Sequence, residues 1–400
     1  MSTVDLVCLT GSACPFEWGL GTSLVCRPEP AAVTQAIEHL AETSAAAAVL
    51  FWDPSLGKPD ETFLQELLAS PADCCHGGLK LGRNGLPGIL GFISPAWMLA
   101  CDPPSDLEAT SWRLSLRACL VKKDVFRKLG GLRPEFRSLD GAALEMGHRW
   151  IRQGALMRHV PRLVPECRGP ALEMAHGTSE ASAPGLSFED ELRFAFYRHG
   201  RKWAWWALFR AVSNRYVPLT TAGKSAWRVL RTRRPALPEP LRTEIPAGLD
   251  FDLDAQVTVL IPTVDRYPYL RTLLDQLRRQ TVPPLEIIVV DQTARERRDQ
   301  ELGQDFRDLP LKVVCQDEPG QCRSRNAGLQ MARGDYILFL DDDDEVPPDL
   351  IEAHLRSIKW FGAGASSGVA DEIGAGPLPS DFCFLRASDV FPTNNTLVRR

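Results

Sequence analysis

Four consecutive aspartates, Asp341-Asp342-Asp343-Asp344, are the most chemically loaded point of this 400-residue chain. Adjacent carboxylates repel one another, so such a run is costly unless a cation offsets it. A hard divalent ion such as Mg2+ or Mn2+ takes oxygen ligands, is held by one or two carboxylates and completes its shell from substrate phosphates. A site of that kind would neutralise a diphosphate leaving group. The plainer alternative is a solvated acidic turn capping a helix that starts near Pro347 or Pro348, where acids suit the helix's positive end. The apolar run Ile337-Leu338-Phe339-Leu340 favours the first reading, because it anchors the acids at a strand end rather than in a free loop. Upstream, Gly320-Gln321-Cys322-Arg323-Ser324-Arg325-Asn326-Ala327-Gly328 offers a second set of groups. Its glycine permits a tight entry, and Arg325 with Asn326 supplies charged and amide donors near the start of a helix; a plain helix with surface arginines is the alternative.

These residues need a frame to bring them together. Val257 to Ile261 is an apolar run stopped by Pro262, after which Leu270, Leu273, Leu274 and Leu277 recur at helical spacing. Leu285 to Val290, Leu311 to Cys315 and Tyr336 to Leu340 are further apolar runs, each following a polar or helical stretch. Strand and helix alternating at these lengths predict a mostly parallel sheet with helices on its faces. Such sheets bind ligands in the crevice beyond the carboxyl ends of their strands. Pro262, Thr263 and Val264 after the first strand, Asp291 and Gln292 after the second, and Asp341 to Asp344 after the last should therefore converge.

In order and spacing these pieces resemble the family-2 glycosyltransferases. The opening strand ends in a Pro-Thr turn followed by Asp265-Arg266, and the second strand ends Ile-Ile-Val-Val-Asp291. The Gly…Arg-Asn-x-Gly segment Gly320 to Gly328 follows, then Gly334-Asp335-Tyr336 running into the aspartates. The resemblance implies a GT-A fold, Rossmann-like with a mostly parallel sheet, for residues 256–400. It also implies a nucleoside-diphosphate-sugar site made by Pro262, Thr263, Asp265, Asp291, Arg325, Asn326, Asp341 and Asp342. Asp291 would lie near the base and Arg325 near the nucleoside. Asp341 and Asp343 would form the Asp-x-Asp motif that holds Mn2+ or Mg2+, with Asp343 as the direct ligand. Two departures from the family pattern are Gln292-Thr293 in place of Asp-x-Ser, and Asp265 where Asn is common.

The resemblance further implies a sugar transfer, inverting, from a nucleotide donor to a saccharide or lipid-linked acceptor. In the family an acceptor-side half follows the metal motif and carries the general base. Asn394 to Arg400 resembles the strand before that half, so the domain is expected to be incomplete at its C-terminus and the base to lie beyond Arg400. Asp371, Glu372, Asp381 and Asp389 remain as substitutes that match no family position. A non-catalytic nucleotide-sugar-binding or scaffolding protein is the alternative function. A phosphatase or nucleotidyltransferase is disfavoured, since no nucleophile motif accompanies the acids.

Residues 1–185 read as a second, degenerate α/β domain. Ala45 to Trp52 predicts a strand leading to Asp53-Pro54-Ser55, Thr62 to Ala69 a short helix, Arg117 to Val121 a strand, and Lys123 to Leu129 a helix ended by Gly130-Gly131. The stretch from Arg117 to Pro165 resembles the later half of a family-2 domain. Asp53 alone stands for the Asp-x-Asp motif, Ala142 and Ala143 occupy the Glu-Asp position, and Asp140 is too early to replace it, so no catalysis is expected there.

Between the domains, residues 186–235 form a helical Trp/Arg-rich segment and 236–255 a proline-rich linker, with Pro238, Pro240, Pro246 and Gly248. A helical pattern runs from Phe188 to Val212 and carries Trp203, Trp205 and Trp206 among arginines and lysines. Either the aromatics are buried in a packing helix, or 188–215 is an amphipathic segment lying on an anionic membrane surface.

Bulk properties fit a globular chain: 44% apolar, 24% charged, net charge −5. That mild acidity opposes nucleic acid as a main partner. Eleven cysteines without a CxxC pair, and no leader-like start, predict a reduced, cytoplasmic chain, at most peripheral at the inner face of a membrane. Cys74, Cys75 and His76 are adjacent, and adjacent side chains seldom converge on one ion, so buried or free thiols are expected rather than a metal site.

Overall fold

The computed structural model describes residues 3–78, 88–89, 106–164, 186–246, 251–379, 382–388 and 391–400. It divides into two compact units, the first built on residues 1–243 and the second on 244–400 apart from Phe384–Asp389, which joins the first.

The first unit contains β1 (Val4–Leu9), β2 (Ser23–Cys26), α1 (Pro30–Thr43), β3 (Ala48–Trp52), α2 (Glu61–Ala69), β4 (Cys74–His76), β5 (Ala109–Thr110), β6 (Ala118–Lys122), α3 (Lys123–Leu129), α4 (Leu139–Arg152), β7 (Met157–His159), α5 (Phe188–His199), α6 (Arg201–Ser213) and α7 (Leu219–Val229). Its sheet has the order β2-β1-β3-β6-β4-β7-β5. β1 is parallel to β2 and β3, and β6 runs antiparallel between β3 and β4. Alternate residues of β1 and β3 feed opposite cores: Val7, Leu9, Val49 and Phe51 on one face, Leu6, Cys8, Leu50 and Trp52 on the other. A strand buried on both faces reads as one apolar run, which is why β3 is visible in the sequence.

The second unit contains β8 (Val257–Thr263), α8 (Tyr267–Leu277), β9 (Glu286–Asp291), α9 (Leu302–Asp305), β10 (Leu311–Cys315), α10 (Gln321–Met331), β11 (Tyr336–Leu340), α11 (Leu350–Phe361), β12 (Ala365–Ser367) and β13 (Asn395–Arg399). The sheet order is β10-β9-β8-β11-β13-β12. The pairs among β8 to β11 are parallel, whereas β13 runs antiparallel to both β11 and β12. Leu270, Leu273, Leu274 and Leu277 are all buried, as the helical spacing requires.

Three sequence expectations need correction. Pro262 does not stop the first strand: β8 continues to Thr263, still paired with β9, while its pairing with β11 has already ended at Leu260. The missing proline N–H therefore removes no ladder bond. The helical pattern from Phe188 to Val212 is two helices, α5 and α6, separated at Gly200, whose φ of 89° breaks the helical backbone. The helix after the aspartates begins at Leu350 rather than at Pro347 or Pro348, so the acids lie outside its first turn and do not cap it.

The proline-rich stretch forms neither helix nor strand, yet it is anchored within the first unit: Leu241 is buried, and Arg242 grips Asp73 at 2.6 and 2.8 Å. Gly248 lies outside the described residues. Cys74 and Cys75 are buried free thiols, pushed upward in pKa by burial.

Candidate active site in the second unit

The loops after β8, β9 and β11 meet at one edge of the sheet, and hydrogen bonds tie them together. Thr263, the last residue of β8, donates its hydroxyl to Asp342 Oδ2 at 2.7 Å, and both residues are buried. Asp265 has a φ of 57°, in the left-handed region that Asp and Asn tolerate better than most side chains, and this accounts for the residue type. Its N–H donates to Thr293 Oγ1 at 2.9 Å, joining the first loop to the second.

That turn aims Arg266 at the aspartates. Arg266 Nη1 donates to Asp343 Oδ2 at 2.6 Å and to Asp342 Oδ1 at 3.4 Å, while the arginine stays half exposed. Arg325, on the first half of α10, donates to Asp341 Oδ1 at 2.6 Å. Its Nε is buried without a partner among the described residues, a donor left over for an anion. Asn326 is exposed one residue further along α10.

The four aspartates thus sit in different surroundings. Asp342 is buried and held by Thr263; Asp343 is exposed; Asp341 and Asp344 are partly buried. The Asp341 N–H donates to Asp344 Oδ2 at 2.7 Å, closing a tight turn. Burial raises the Asp341 carboxyl, Arg325 opposes the rise, and the charges of Asp343 and Asp342 add to it. Asp344 is raised to about 6, first by burial and then by its three neighbours, against the bond from Asp341.

Asp291 ends β9 with both oxygens engaged, one by Tyr267 Oη at 2.7 Å and one by the Thr293 N–H at 2.9 Å. Gln292 accepts from the Gly320 N–H, fixing the entry to α10. Glycine at 334 is required by space: a Cβ there would lie 2.6 Å from Thr258 N and 2.7 Å from Gln256 O. Glu286 holds the same corner, accepting from Thr258 Oγ1, Arg333 N and Arg333 Nε.

Of the residues expected from sequence, Thr263, Asp265, Asp291, Arg325, Asp341, Asp342 and Asp343 are tied into this edge, and Pro262 shapes the strand beneath it. Asn326 makes no side-chain bond to the cluster. Arg266 was not expected to participate; its place directly after a turn-forming Asp was the signal. Asp371 and Glu372 are exposed and bond to none of these groups, and Asp381 and Asp389 lie outside the described residues.

The donor set suits a hard cation. Among the described residues no three His, Cys, Asp or Glu side chains are arranged to hold a metal by themselves. What the chain offers is one or two carboxylates, Asp341 and Asp343, as expected where substrate phosphates supply the remaining ligands.

In the first unit the equivalent strand end is much poorer. Asp53 caps a short turn by accepting from the Ser55 N–H and pairs with Arg117 Nε at 2.7 Å. Ala142 and Ala143 are fully buried on α4 and leave no acid in the position examined from sequence. Glu145, one turn before Arg149 on α4, is buried among Arg149, Arg198 and Arg133. Arg149 in turn donates to the carbonyls of Leu129, Gly130 and Gly131, so this network ties α4 to the end of α3.

In parallel-stranded α/β units, ligands bind in the crevice beyond the carboxyl ends of the strands, which is where these acids and arginines stand. Residues 258–381, within the second unit, match the family described as Glycosyl transferase family 2. The chain is 31% identical over 110 residues to the amylovoran biosynthesis glycosyltransferase AmsB of Erwinia amylovora, covering 26% of this chain and 36% of AmsB. It is 29% identical over 118 residues to glycosyltransferase GlyA of Streptococcus pneumoniae, covering 29% of this chain and 17% of GlyA. The matches span between 17% and 38% of the relatives' own lengths.

Among solved structures, the mannosyltransferase PcManGT from Pyrobaculum calidifontis, in complex with GDP-Man and Mn2+, aligns with a TM-score of 0.31 and 22% identity, over 48% of this chain and 53% of that one. S. aureus TarS 1-349 in complex with UDP-GlcNAc aligns with a TM-score of 0.28 and 26% identity, over 31% and 37%. What those proteins bind is a property of those proteins.

Proposed function

We propose that the second unit binds a nucleoside-diphosphate sugar together with a divalent cation, and that the chain transfers the sugar, with inversion, to a saccharide or lipid-linked acceptor. The observation that carries this reading is the aspartate cluster, held at a strand end by Thr263 and faced by two arginines. Asp341 and Asp343 would hold Mn2+ or Mg2+, which when bound acts as a Lewis acid on the donor diphosphate. Thr263 fixes Asp342 as the rigid floor of the turn, so its neighbours keep their orientation. Arg325, bonded to Asp341 and with its Nε unpartnered among the described residues, would stand beside the nucleotide. Asp291, oriented by Tyr267 and Thr293, would lie toward the base with Pro262 and Asp265 lining the approach.

A lipid-linked acceptor places this work at a bilayer, and peripheral contact with the cytoplasmic face of a membrane is part of the reading. Calorimetry with UDP-, GDP- and dTDP-sugars, with and without Mn2+, tests it. Saturable binding of one donor that requires the metal is the expected result, and metal-dependent donor hydrolysis would separate an enzyme from a binding protein. Binding of no nucleotide sugar under either condition overturns the proposal.

A further inference from the structure

The least expected surface in the first unit is the outer face of α6 and α7. Both helices pack on α5. α6 buries Ala204, Ala207, Leu208 and Ala211, the stripe of a helix lying on a core, so its opposite stripe should be polar. Instead Trp205, Trp206 and Phe209 point outward, exposed at 52%, 44% and 60%. On α7, Ala222, Ser225 and Val229 face inward while Leu219 and Trp227 are exposed at 73% and 64%. Both helices bury small side chains and display large rings, the reverse of a solvated helix. Of the two sequence alternatives, burial holds for α5, whose Phe194, Phe196 and Tyr197 lie in the core, but not for Trp203, Trp205 and Trp206 of α6, which are exposed.

Charge identifies what the face is made for. From Leu192 to Pro238 there is not one Asp or Glu, while Lys and Arg recur throughout, in a chain of net charge −5. Arg210 lies over the Trp206 ring at 5.7 Å and Arg231 over the Trp227 ring at 4.4 Å, which places cations and aromatics side by side. An exposed apolar patch marks an interaction site, and tryptophan beside arginine suits the boundary between acyl chains and charged headgroups. A second copy of the chain would bring like charges together, which disfavours self-association through this face. Among the described residues no helix is long and apolar enough to cross a membrane, so contact through this face is peripheral.

We infer that the outer face of α6 and α7 docks the protein on an anionic lipid bilayer, with its rings at the headgroup boundary and its arginines and lysines on the lipid phosphates. The inference rests on the peripheral membrane contact proposed above and assigns the surface that makes it; it needs no sugar donor.

The test is co-sedimentation with phosphatidylcholine vesicles, alone or mixed equally with phosphatidylglycerol, read alongside tryptophan emission. Binding to the anionic vesicles only, with a blue shift and weakening in high salt, is expected. The triple variant Trp205→Ser, Phe209→Ser, Trp227→Ser should partition about tenfold less or weaker still. Lys202→Gln with Arg210→Gln should lose about fivefold per charge removed. The charge variant also decides the matter if the triple variant fails to fold by circular dichroism. Equal binding to neutral vesicles, or undiminished binding by folded variants, overturns the inference. So does a wild type that ignores vesicles and instead self-associates or binds an oligonucleotide. Loss of donor binding with vesicle binding intact would condemn the transferase reading alone.

Discussion

The two sheets share a plan and differ in what stands at its edge. In each, a central strand (β1, β8) has a parallel neighbour on one side (β2, β9) and on the other a parallel strand that leads into aspartate (β3 before Asp53, β11 before Asp341). In each, an antiparallel strand (β6, β13) and then a short one (β4, β12) follow. The central strands β1, β3, β8 and β9 are largely apolar and buried along their whole length, so the two sheets are held from within rather than by their strand-end residues. Asp53 is one carboxylate answered by one arginine and a backbone N–H. The Asp341 to Asp344 turn sets four carboxylates against Arg266 and Arg325, and so keeps an excess of negative charge. One plan of sheet thus carries two different strand ends, a single paired carboxylate in the first unit and a run of four in the second.

The comparison breaks most visibly if the second unit's sheet tolerates disorder where β8 and β11 begin, at the end of the strands away from the aspartates. Gly334→Ala places a Cβ against backbone atoms of Gln256 and Thr258, which cannot rotate away. We expect a loss of about 3 kcal/mol, measured by urea unfolding, with donor binding lost in parallel. Retained stability would mean that β8 and β11 need not approach so closely.

Next in size is Asp343→Ala. The residue is exposed and its partner is the half-exposed Arg266, so stability should hold to within about 1 kcal/mol while donor affinity in Mn2+ falls about tenfold or more. Equal affinity for wild type and variant by calorimetry would reduce the aspartate cluster to the status of Asp53.

Arg266 sharpens the comparison from the other side. Its guanidinium lies on Asp343 and Asp342 where a cation would lie, so it must yield before metal binds. Removing a half-exposed ion pair releases at most about 1 kcal/mol, so Arg266→Ala should raise Mn2+ affinity by up to about fivefold, read by titration without donor. Weaker metal binding in the variant would show that the arginine assists the site instead of occupying it.

The second unit was far more legible in the sequence than the first. β8, β9, β10 and β11 are apolar runs, β9 and β11 lead into acids, and the helical spacing of Leu270 to Leu277 had no competing period. In the first unit, β1 is interrupted by Asp5, a residue that reads as surface but is buried against Lys123 at 2.8 Å. Glu145 is illegible for the same reason: a charged side chain in a helix reads as solvated until Arg133 and Arg198, from other segments, join its helix neighbour Arg149 around it. Gly200 ends α5 inside an unbroken helical period, and periodicity alone does not register a change of φ. At the site, the carboxylates were visible as a run of one residue type. The grip of Thr263 and Arg266 on them was not, because the first depends on how far β8 runs beyond Pro262 and the second on the left-handed turn at Asp265.

The smallest expected effect belongs to Asp53→Asn, and it bears on the comparison most directly. Burial works to raise the Asp53 carboxyl, but its bonds to Ser55 and Arg117 prevail and hold it below the ordinary aspartate range. A depressed carboxylate adds stability that is present above its unfolded pKa, about 4, and is lost as pH falls through the folded value. Asparagine can still accept from the Ser55 N–H, since it caps turns as well as aspartate does. Only the ion pair with the partly exposed Arg117 is lost, worth less than about 1 kcal/mol. Wild type and variant should therefore differ slightly in urea midpoint at neutral pH and converge in acid. Donor and Mn2+ affinities should be unchanged, because one paired carboxylate has no charge to spare for a cation. A fall in either affinity with the fold intact would place the first unit's strand end in the binding machinery, and the division of the chain into a working sheet and a silent one would fail.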